Sequence, residues 1–252
     1  MQVILIGSGN TATVLGRKIK EEGHDVLQVW SRDLSHAKPL AEELDARPET
    51  SLKSLGKADI YIIAVPDDAI ENVASQLDLH NHLVVHTAGS VSKDALQKAS
   101  RNFGVLYPLQ SLRKEIPVIP EIPFLVDGNT SDDLTLIYDF AETISKRVTV
   151  ATDEERKKLH LSAVIVSNFS NHLFAIAEEY CKKSKSDFSL LYPLINEIAS
   201  RIEFESPAKL QTGPAVRNDL ETLRNHEELL KDHPEIKNLY ALFTKSIQEF
   251  YR

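Results

Sequence analysis

The first twelve residues place the strongest constraint on what this chain can fold into. Four consecutive apolar residues, Val3–Ile6, predict a buried parallel strand, and the glycines that follow predict a tight turn into a helix. In this G-x-G-x-x-A pattern Gly7 permits the turn, Gly9 lets a pyrophosphate approach the backbone, and Ala12 allows close packing of helix on strand. The pattern alone also fits a plain strand–turn–helix, but its position directly after a strand favours a dinucleotide site.

The helix after this turn supplies the chemistry that such a site needs. A helix that begins near Asn10 presents free backbone N–H groups and the positive end of its dipole, and both stabilise bound phosphates. We therefore assign the pyrophosphate contacts to the turn residues Gly7, Ser8, Gly9, Asn10 and Thr11.

Composition and charge exclude several classes of partner. The chain has 252 residues, 42% of them hydrophobic and 26% charged, as expected of a soluble globular protein with one large or two modest domains. Its formal net charge of −8 argues against a general nucleic-acid binder or a binder of anionic membranes. The single cysteine, Cys181, excludes an internal disulfide, and no basic-then-apolar leader or apolar run near about 18 residues occurs. We therefore expect a cytoplasmic protein that does not bind membranes.

The end of the second predicted strand indicates which dinucleotide is bound. An NAD site usually places Asp or Glu here to bond the ribose 2′-hydroxyl, but this chain reads Trp30-Ser31-Arg32. Ser31 can bond a 2′-phosphate without repulsion, and the Arg32 guanidinium can bind it with two hydrogen bonds. We therefore predict NADP(H), although Arg32 also fits a solvated loop charge and the neighbouring Asp33 weakens the inference.

Strands and helices alternate through residue 151 and predict a doubly wound parallel sheet, a Rossmann-like α/β domain over residues 1–151. Because ligands bind at the carboxyl ends of such strands, Val65 at the end of one predicted strand and Pro66 directly after it are expected to flank the nicotinamide. His86-Thr87-Ala88-Gly89-Ser90 follows the next strand. We assign His86 to the nicotinamide and to the chemistry, with a purely structural histidine as the alternative.

From Thr152 onward the pattern is helical, which predicts an all-α domain over residues 152–252. A capping box at Thr152 starts a helix of about 30 residues towards Lys183, apolar nearly all round in its middle, and this predicts a central, buried helix. One domain of this size could hardly bury it, so we expect a homodimer through the helical domain. The helix also carries a stripe at helical spacing, made of His160, Val164, Ser167, Asn168 and Asn171. Its polar groups must find partners, either across a subunit contact or in a site.

The segment Thr212-Gly213-Pro214 is the most informative part of the second half. A rigid turn here would present a hydroxyl, backbone donors and, in the first turns of the next helix, the cation of Arg217. We assign Thr212 and Arg217 to substrate binding, with an ordinary helix start and a surface Arg–Asp pair as the alternative. No spacing of histidines or cysteines predicts a metal site.

The motifs together resemble a known group of proteins. A dinucleotide-binding domain followed by helices opening on one long helix is similar to the group of pyrroline-5-carboxylate reductase, 3-hydroxyisobutyrate dehydrogenase, 6-phosphogluconate dehydrogenase and prephenate dehydrogenase. Within it the chain more closely resembles Rossmann-like NADP oxidoreductases with a helical C-terminal domain of unknown function. The matching pieces are Gly7–Asn10, His86–Ser90, Tyr107–Ser111, Ser167–Phe169 and Thr212–Pro214 with Arg217 and Asp219.

The resemblance implies hydride transfer between NADP(H) and a small C=O or C=N substrate bound between the two domains. In the hydroxyacid dehydrogenases the long helix carries a catalytic lysine four residues before an asparagine. Here Asn168 matches the asparagine, but Val164 stands at the lysine position. His160 is then the candidate proton donor, and Asn168, Asn171 and Thr212 would orient the substrate while Arg217 holds a carboxylate or phosphate. The missing lysine motivates an alternative, a non-catalytic NADP-binding sensor or interaction protein, and fold analogy adds a third, reduction of NADP by a deazaflavin partner.

Overall fold

An eight-stranded sheet organises the first part of the chain in the computed structural model, which describes residues 1–252. Its strands are β1 (Gln2–Ile6), β2 (Asp25–Trp30), β3 (Arg47–Glu49), β4 (Ile60–Ile63), β5 (Leu83–His86), β6 (Phe103–Pro108), β7 (Phe124–Gly128) and β8 (Val148–Val150). They lie in the order β3-β2-β1-β4-β5-β6-β7-β8. The order reverses between β1 and β4, the switch point at which a Rossmann sheet binds its dinucleotide. The predicted Rossmann-like fold is confirmed.

Helices cover both faces of this sheet because its central strands are apolar on both sides. The helices are α1 (Asn10–Glu21), α2 (Leu34–Glu43), α3 (Ile70–Ala74) and α4 (Ser131–Ile144), and α5 (Asp153–Ala163) follows the last strand. Alternate residues of β1 enter different cores: Val3 and Leu5 pack with the apolar faces of α1, α2 and α4, while Ile4 and Ile6 pack with α3. This alternation follows from the two-residue period of a strand.

The direction of β7 corrects the predicted parallel sheet. β7 pairs with β6 in antiparallel register, from Gly104 opposite Gly128 to Pro108 opposite Phe124, so β7 and β8 run against the other six strands. A parallel pair needs a crossover, usually a helix. The β6–β7 loop (residues 109–123) contains three prolines and forms no helix. Because no helix carries the chain across the sheet, β7 begins beside the end of β6 and runs in the opposite direction.

A helix of 31 residues follows the sheet, as predicted, from Asp153 to Lys183. It consists of α5, π-helical turns over Val164–Phe169, and α6 (Ser170–Lys183). The chain forms two compact units, residues 1–168 and 169–252. The sheet ends at Val150, and the domain boundary predicted at residue 151 stays a prediction.

The prediction that this long helix is buried is wrong for the single chain. Leu161 is 61% exposed and Ile165 is 51% exposed, and no residue of α6 is buried. By length and composition alone the helix could cross a membrane, with a mean hydropathy of 1.2 in its most apolar window. An apolar helix of this length is equally expected where another protein surface covers it. The polar residues in its middle, such as His160 and Asn168, are less typical of a membrane span. Sequence periodicity reports an apolar surface but not which partner covers it.

The second unit is entirely helical and buries little of its own apolar surface. After α6 it contains α7 (Tyr192–Arg201), α8 (Pro207–Leu210), α9 (Leu220–Leu229) and α10 (Pro234–Phe250). Only Ala215, Leu223 and Leu230 are buried among residues 169–252.

Candidate functional site

The glycine turn between β1 and α1 has a conformation that only glycine supplies. Gly7 has a φ of +134°, and a Cβ there would lie 2.2 Å from the carbonyl oxygen of Ala64. A Cβ on Gly9 would instead meet nothing within 4 Å. Gly9 directly precedes α1, which begins without a side-chain cap and with no acidic residue in its first turn. The first N–H groups of α1 therefore have no side-chain cap, and the space beside Gly9 is open, which fits a dinucleotide pyrophosphate.

The residues after β2 include one cation without a partner carboxylate. Ser31 donates its backbone N–H to the carbonyl of Glu49, and the exposed Arg32 forms no ion pair. The Asp33 carboxylate accepts bonds from the Ser35 N–H at 2.8 Å and the Ser35 hydroxyl at 2.7 Å, so it caps α2. The Asp33 carboxylate, which weakened the NADP inference, is thus hydrogen-bonded to the first turn of α2.

At the carboxyl ends of β4 and β5, two loops are bonded to each other. Val65 is half-buried and Pro66 is exposed, and the Ser90 hydroxyl donates to the carboxylate of Asp67. The two segments expected to flank the nicotinamide are therefore held together as one surface.

His86, the last residue of β5, does not reach this surface. Its side chain is fully buried, with Nδ1 accepting from the Ala88 N–H at 3.2 Å and Nε2 facing the Ser92 carbonyl at 3.3 Å. The neutral tautomer with a proton on Nε2 satisfies both contacts. Burial, followed by the nearby positive charge of Arg156, lowers the pKa of His86 from 6.5 to about 4. The predicted direct contact with nicotinamide or substrate is corrected to a structural role in shaping the loop.

The loop after β5 is fastened to the start of α5 by a buried ion pair. Arg156 is fully buried and donates through Nη2 to the carbonyl of Val91 and to the Asp153 carboxylate, both at 2.6 Å. Burial raises the pKa of Asp153, but hydrogen bonds from Ser92 and Arg156 outweigh it and the pKa lies below its usual value. Lys93 adds an ion pair with Asp127 of β7 at 2.9 Å. Residues 87–93 are therefore bonded to the loop after β4, to α5 and to β7.

The central feature of the site is a hydrogen bond between Tyr107 and His160. The Tyr107 hydroxyl lies 2.8 Å from Nδ1 of His160, and their rings meet edge to face. Burial, and then the charge of Asp67, raises the pKa of Tyr107, so its hydroxyl stays protonated near neutral pH. A Cβ on Gly89 would lie 2.6 Å from Nδ1 of His160 and 2.9 Å from Cζ of Tyr107. The backbone of the β5 loop therefore packs directly against this pair.

A cavity of about 520 Å³ opens beside the pair and collects part of the predicted polar stripe. It is lined by Tyr107, Leu109, Gln110 and Ser111 from the end of β6 and by residues of the long helix between Leu159 and Asn168. His160, Val164, Ser167 and Asn168 lie together here, but Asn171 does not line the cavity. The π-helical turns explain this difference, because an i→i+5 pattern displaces later residues around the axis by about one position.

The remaining predicted residues belong to the second unit. Thr212 is exposed and lies at the end of a groove of about 260 Å³ that also contains Arg201 and Gln211. Arg217 is exposed in a turn rather than in the first turn of a helix, which corrects the prediction. The helix begins only at Leu220, because Asp219 accepts from the N–H of Thr222 and caps α9.

Sequence reasoning missed the residues that position His160. Tyr107 and Gly89 are 53 and 71 positions away from it along the chain, and both belong to motifs that we had noted. The available signal was a tyrosine at the carboxyl end of a buried strand, since a buried hydroxyl requires a partner.

Two protein-family models match this chain. Residues 122–247 match the family model described as a domain of unknown function (DUF2520), and residues 2–89 match the model described as NADP oxidoreductase coenzyme F420-dependent. A search of curated proteins found no match.

Solved structures agree over nearly the whole chain. A protein from Bacteroides fragilis described as an NADP oxidoreductase is 35% identical, with a TM-score of 0.89 and 98% of each chain covered. A 1-pyrroline-5-carboxylate reductase from Streptococcus pyogenes is 13% identical, with a TM-score of 0.66 over 99% of this chain and 98% of its own. A reductive aminase from Aspergillus terreus, solved with NADPH and ethyl levulinate, is 14% identical, with a TM-score of 0.71 over 98% of this chain and 94% of its own. The last two similarities concern the fold.

Proposed function

Because the chain belongs to the family of NADP oxidoreductases whose C-terminal part is the DUF2520 domain, we propose that it transfers hydride between NADP(H) and the C=O or C=N group of a small metabolite. Bound NADPH supplies the hydride. The glycine turn, Gly7 to Thr11, would hold the pyrophosphate, Ser31 and Arg32 the 2′-phosphate, and Val65 and Pro66 the nicotinamide. The chain's own contribution is to orient the substrate and to move one proton.

The hydrogen bond between Tyr107 and His160 is the observation that carries this proposal. With Nδ1 of His160 bonded to the Tyr107 hydroxyl at 2.8 Å, Nε2 is the nitrogen left for another partner. In the protonated ring, Nδ1–H donates to the Tyr107 oxygen and Nε2–H donates to the oxygen or nitrogen of the substrate. As hydride reaches the substrate carbon, that heteroatom gains negative charge and takes the Nε2 proton, which leaves neutral His160. The reverse reaction returns the proton to the same nitrogen.

Substrate orientation is assigned to residues with amide, hydroxyl and cationic groups. Asn168 lines the cavity beside His160 and would bond the reacting group. We propose that Asn171, Thr212 and Arg217 of the second domain complete the site when substrate binds between the domains, with Arg217 pairing with a carboxylate or phosphate.

The sensor interpretation stays as a second candidate because of Val164. At the position where the hydroxyacid dehydrogenases carry a lysine, this cavity is lined by an apolar side chain. A protein that binds NADP without turnover would need no proton donor here.

One experiment separates the two candidates. Purified protein is mixed with NADPH and a panel of cyclic imines, amine–ketone pairs and keto acids, and oxidation of NADPH is followed by absorbance. For an active substrate, His160→Gln should lower turnover on the order of 10²- to 10⁴-fold and leave the Kd for NADPH unchanged, and Tyr107→Phe should cause a smaller loss. His172→Gln, a change at an exposed histidine of α6, is the matched control. Near-normal turnover in His160→Gln contradicts the proton-donor assignment, and tight NADPH binding with no turnover on any substrate favours the sensor.

We also propose that the protein is a cytoplasmic homodimer. Large apolar side chains of the helical region stay exposed in the single chain, among them Leu161, Ile165, Phe169 and Ile198. Exposed apolar surface of this extent is typical of subunit contacts. Light scattering at micromolar concentration should give twice the mass of 28.3 kDa, and a monomer would contradict the proposal.

A further inference from the structure

The β6–β7 loop is a closed structure fixed at its base. The Leu109 N–H donates to the carbonyl of Pro123 at 2.8 Å, and the Gln110 amide donates to the carbonyl of Glu121 at 3.2 Å. Leu112 and Ile119 of the loop pack against the core cluster beneath α1 and α4. With its ends close together and its own side chains packed, the segment has the character of an Ω-loop, a type that frequently carries function.

The tip of this loop is tied to the dinucleotide-binding helix. Arg17 of α1 donates through Nη1 to the carbonyl of Lys114 at 2.7 Å, and its other nitrogens bond the carboxylate of Glu43 in α2. The Lys114 N–H approaches Oδ1 of Asn10 at 3.5 Å. The backbone of Lys114 is therefore placed against the start of α1, while its side chain is free to reach a ligand.

Lys114 lines a cleft that joins the two parts of the nucleotide site. The cleft, about 410 Å³, contains Ser8 and Gly9 of the glycine turn on one side and Ser35 and His36 of the first turn of α2 on the other. Its only carboxylate, Glu43, is paired with Arg17. No carboxylate lies within 4 Å of the Lys114 ammonium. Lys114 is thus a lining residue whose cation has no counter-charge.

We infer that Lys114 binds the 2′-phosphate of NADP(H) and so contributes to the choice of NADP over NAD. The ribose 2′-position of a Rossmann dinucleotide lies where β2 leads into α2, and Ser35 and His36 place the cleft at that point. A 2′-phosphate presents a dianion to the unpaired ammonium, whereas the 2′-hydroxyl of NAD presents no charge. The inference rests on the NADP site of the proposed function but uses neither Tyr107 nor His160.

Calorimetry with fragments of the cofactor tests this assignment without any turnover. 2′,5′-ADP carries the 2′-phosphate and 5′-AMP lacks it, and NADPH and NADH form the matching pair of whole cofactors. Loss of one charge-assisted hydrogen bond predicts that Lys114→Ala binds 2′,5′-ADP and NADPH on the order of 10- to 100-fold more weakly. Binding of 5′-AMP and NADH should be unchanged. Lys57→Ala, which removes an exposed lysine at the amino end of β4, controls for net charge and should leave all four Kd values as they are.

Three outcomes overturn the inference. Equal weakening of NADPH and NADH would assign Lys114 to the pyrophosphate, unchanged NADPH binding would make it a solvated lysine, and failure of the unaltered chain to prefer 2′,5′-ADP would remove the 2′-phosphate site. None of them depends on His160→Gln, so failure here is distinguishable from failure of the proposed chemistry.

The role of Arg17 is tested by a double-mutant cycle. Because Arg17 bonds the Lys114 carbonyl, Arg17→Gln should weaken 2′,5′-ADP binding in the unaltered chain but have little further effect in Lys114→Ala. Thermal unfolding of each variant checks that the fold is retained. Independent, additive losses would contradict the positioning role.

Discussion

Gly89→Ala is the most direct test of how the backbone positions the proposed proton donor. The new methyl group would lie 2.6 Å from Nδ1 of His160, and an ordinary contact needs 3.4 Å, so the ring must move by about 0.8 Å. Tyr107 cannot simply follow, because its Cζ would be 2.9 Å from the same methyl group. Displacements near 1 Å from a reacting geometry cost about 10²-fold in rate. Overpacking of this kind also costs about 1–3 kcal/mol of stability.

The expected result is therefore a loss of turnover near 100-fold in a folded protein. Turnover is measured with NADPH and an active substrate from the panel, stability by urea unfolding, and the His160–Tyr107 contact by the chemical shifts of the His160 ring. Gly56→Ala is the matched control, because its methyl group would meet only the end of the Gln28 side chain, at 3.1 Å. If Gly89→Ala kept turnover within about threefold of normal while its His160 signals moved, the geometry of the pair would not limit catalysis.

Three further predictions follow from the turn and from the buried charges. Gly7→Ala should destabilise the fold by about 3 kcal/mol or more and abolish NADPH binding, seen in unfolding and calorimetry, because its Cβ would overlap the Ala64 carbonyl at a positive φ. The pKa of His86 is lowered from 6.5 to about 4, so between these values the unfolded chain binds a proton that the folded chain does not. The unfolding free energy, measured by urea unfolding at each pH, should then fall by about 3 kcal/mol from pH 7 to pH 4. In His86→Gln the unfolding free energy should depend less on pH over this range. Arg156→Met should raise the pKa of His86, measured by NMR titration, because it removes a nearby positive charge; an unchanged pKa would assign the whole effect to burial.

Local signals were enough to predict the nucleotide half of the molecule. The strand, turn and helix from Val3 to Glu21 are continuous in sequence, so the glycine spacing and the apolar run report directly on contacts that form there. The reversal of β7 was missed because the strand pattern of Phe124–Val126 is the same in either direction. Only the connection decides the direction, and its prolines excluded the crossover helix that a parallel pair needs.

The proton-donor pair shows why the site itself was only half predicted. The helix of His160 was evident from periodicity, and its polar stripe was followed correctly as far as Asn168. Tyr107 and Gly89 meet His160 across separations of 53 and 71 residues, and no local pattern encodes such a meeting. The 3.6-residue period did not indicate that Asn171 lies outside this cavity, because π-helical turns leave no mark in that period.

The two faces of the long helix connect the site to the proposed dimer. His160, Val164 and Asn168 recur every four residues along the cavity, and Leu161 and Ile165 form the adjacent apolar row one position later. Rows one residue apart on a helix are about 100° apart around its axis. A second copy that covers the apolar row would therefore lie beside the cavity and exclude water from it. Exclusion of water strengthens the electrostatic interactions of a proton donor, so we expect dimer formation and turnover to be lost together when the apolar row is made polar.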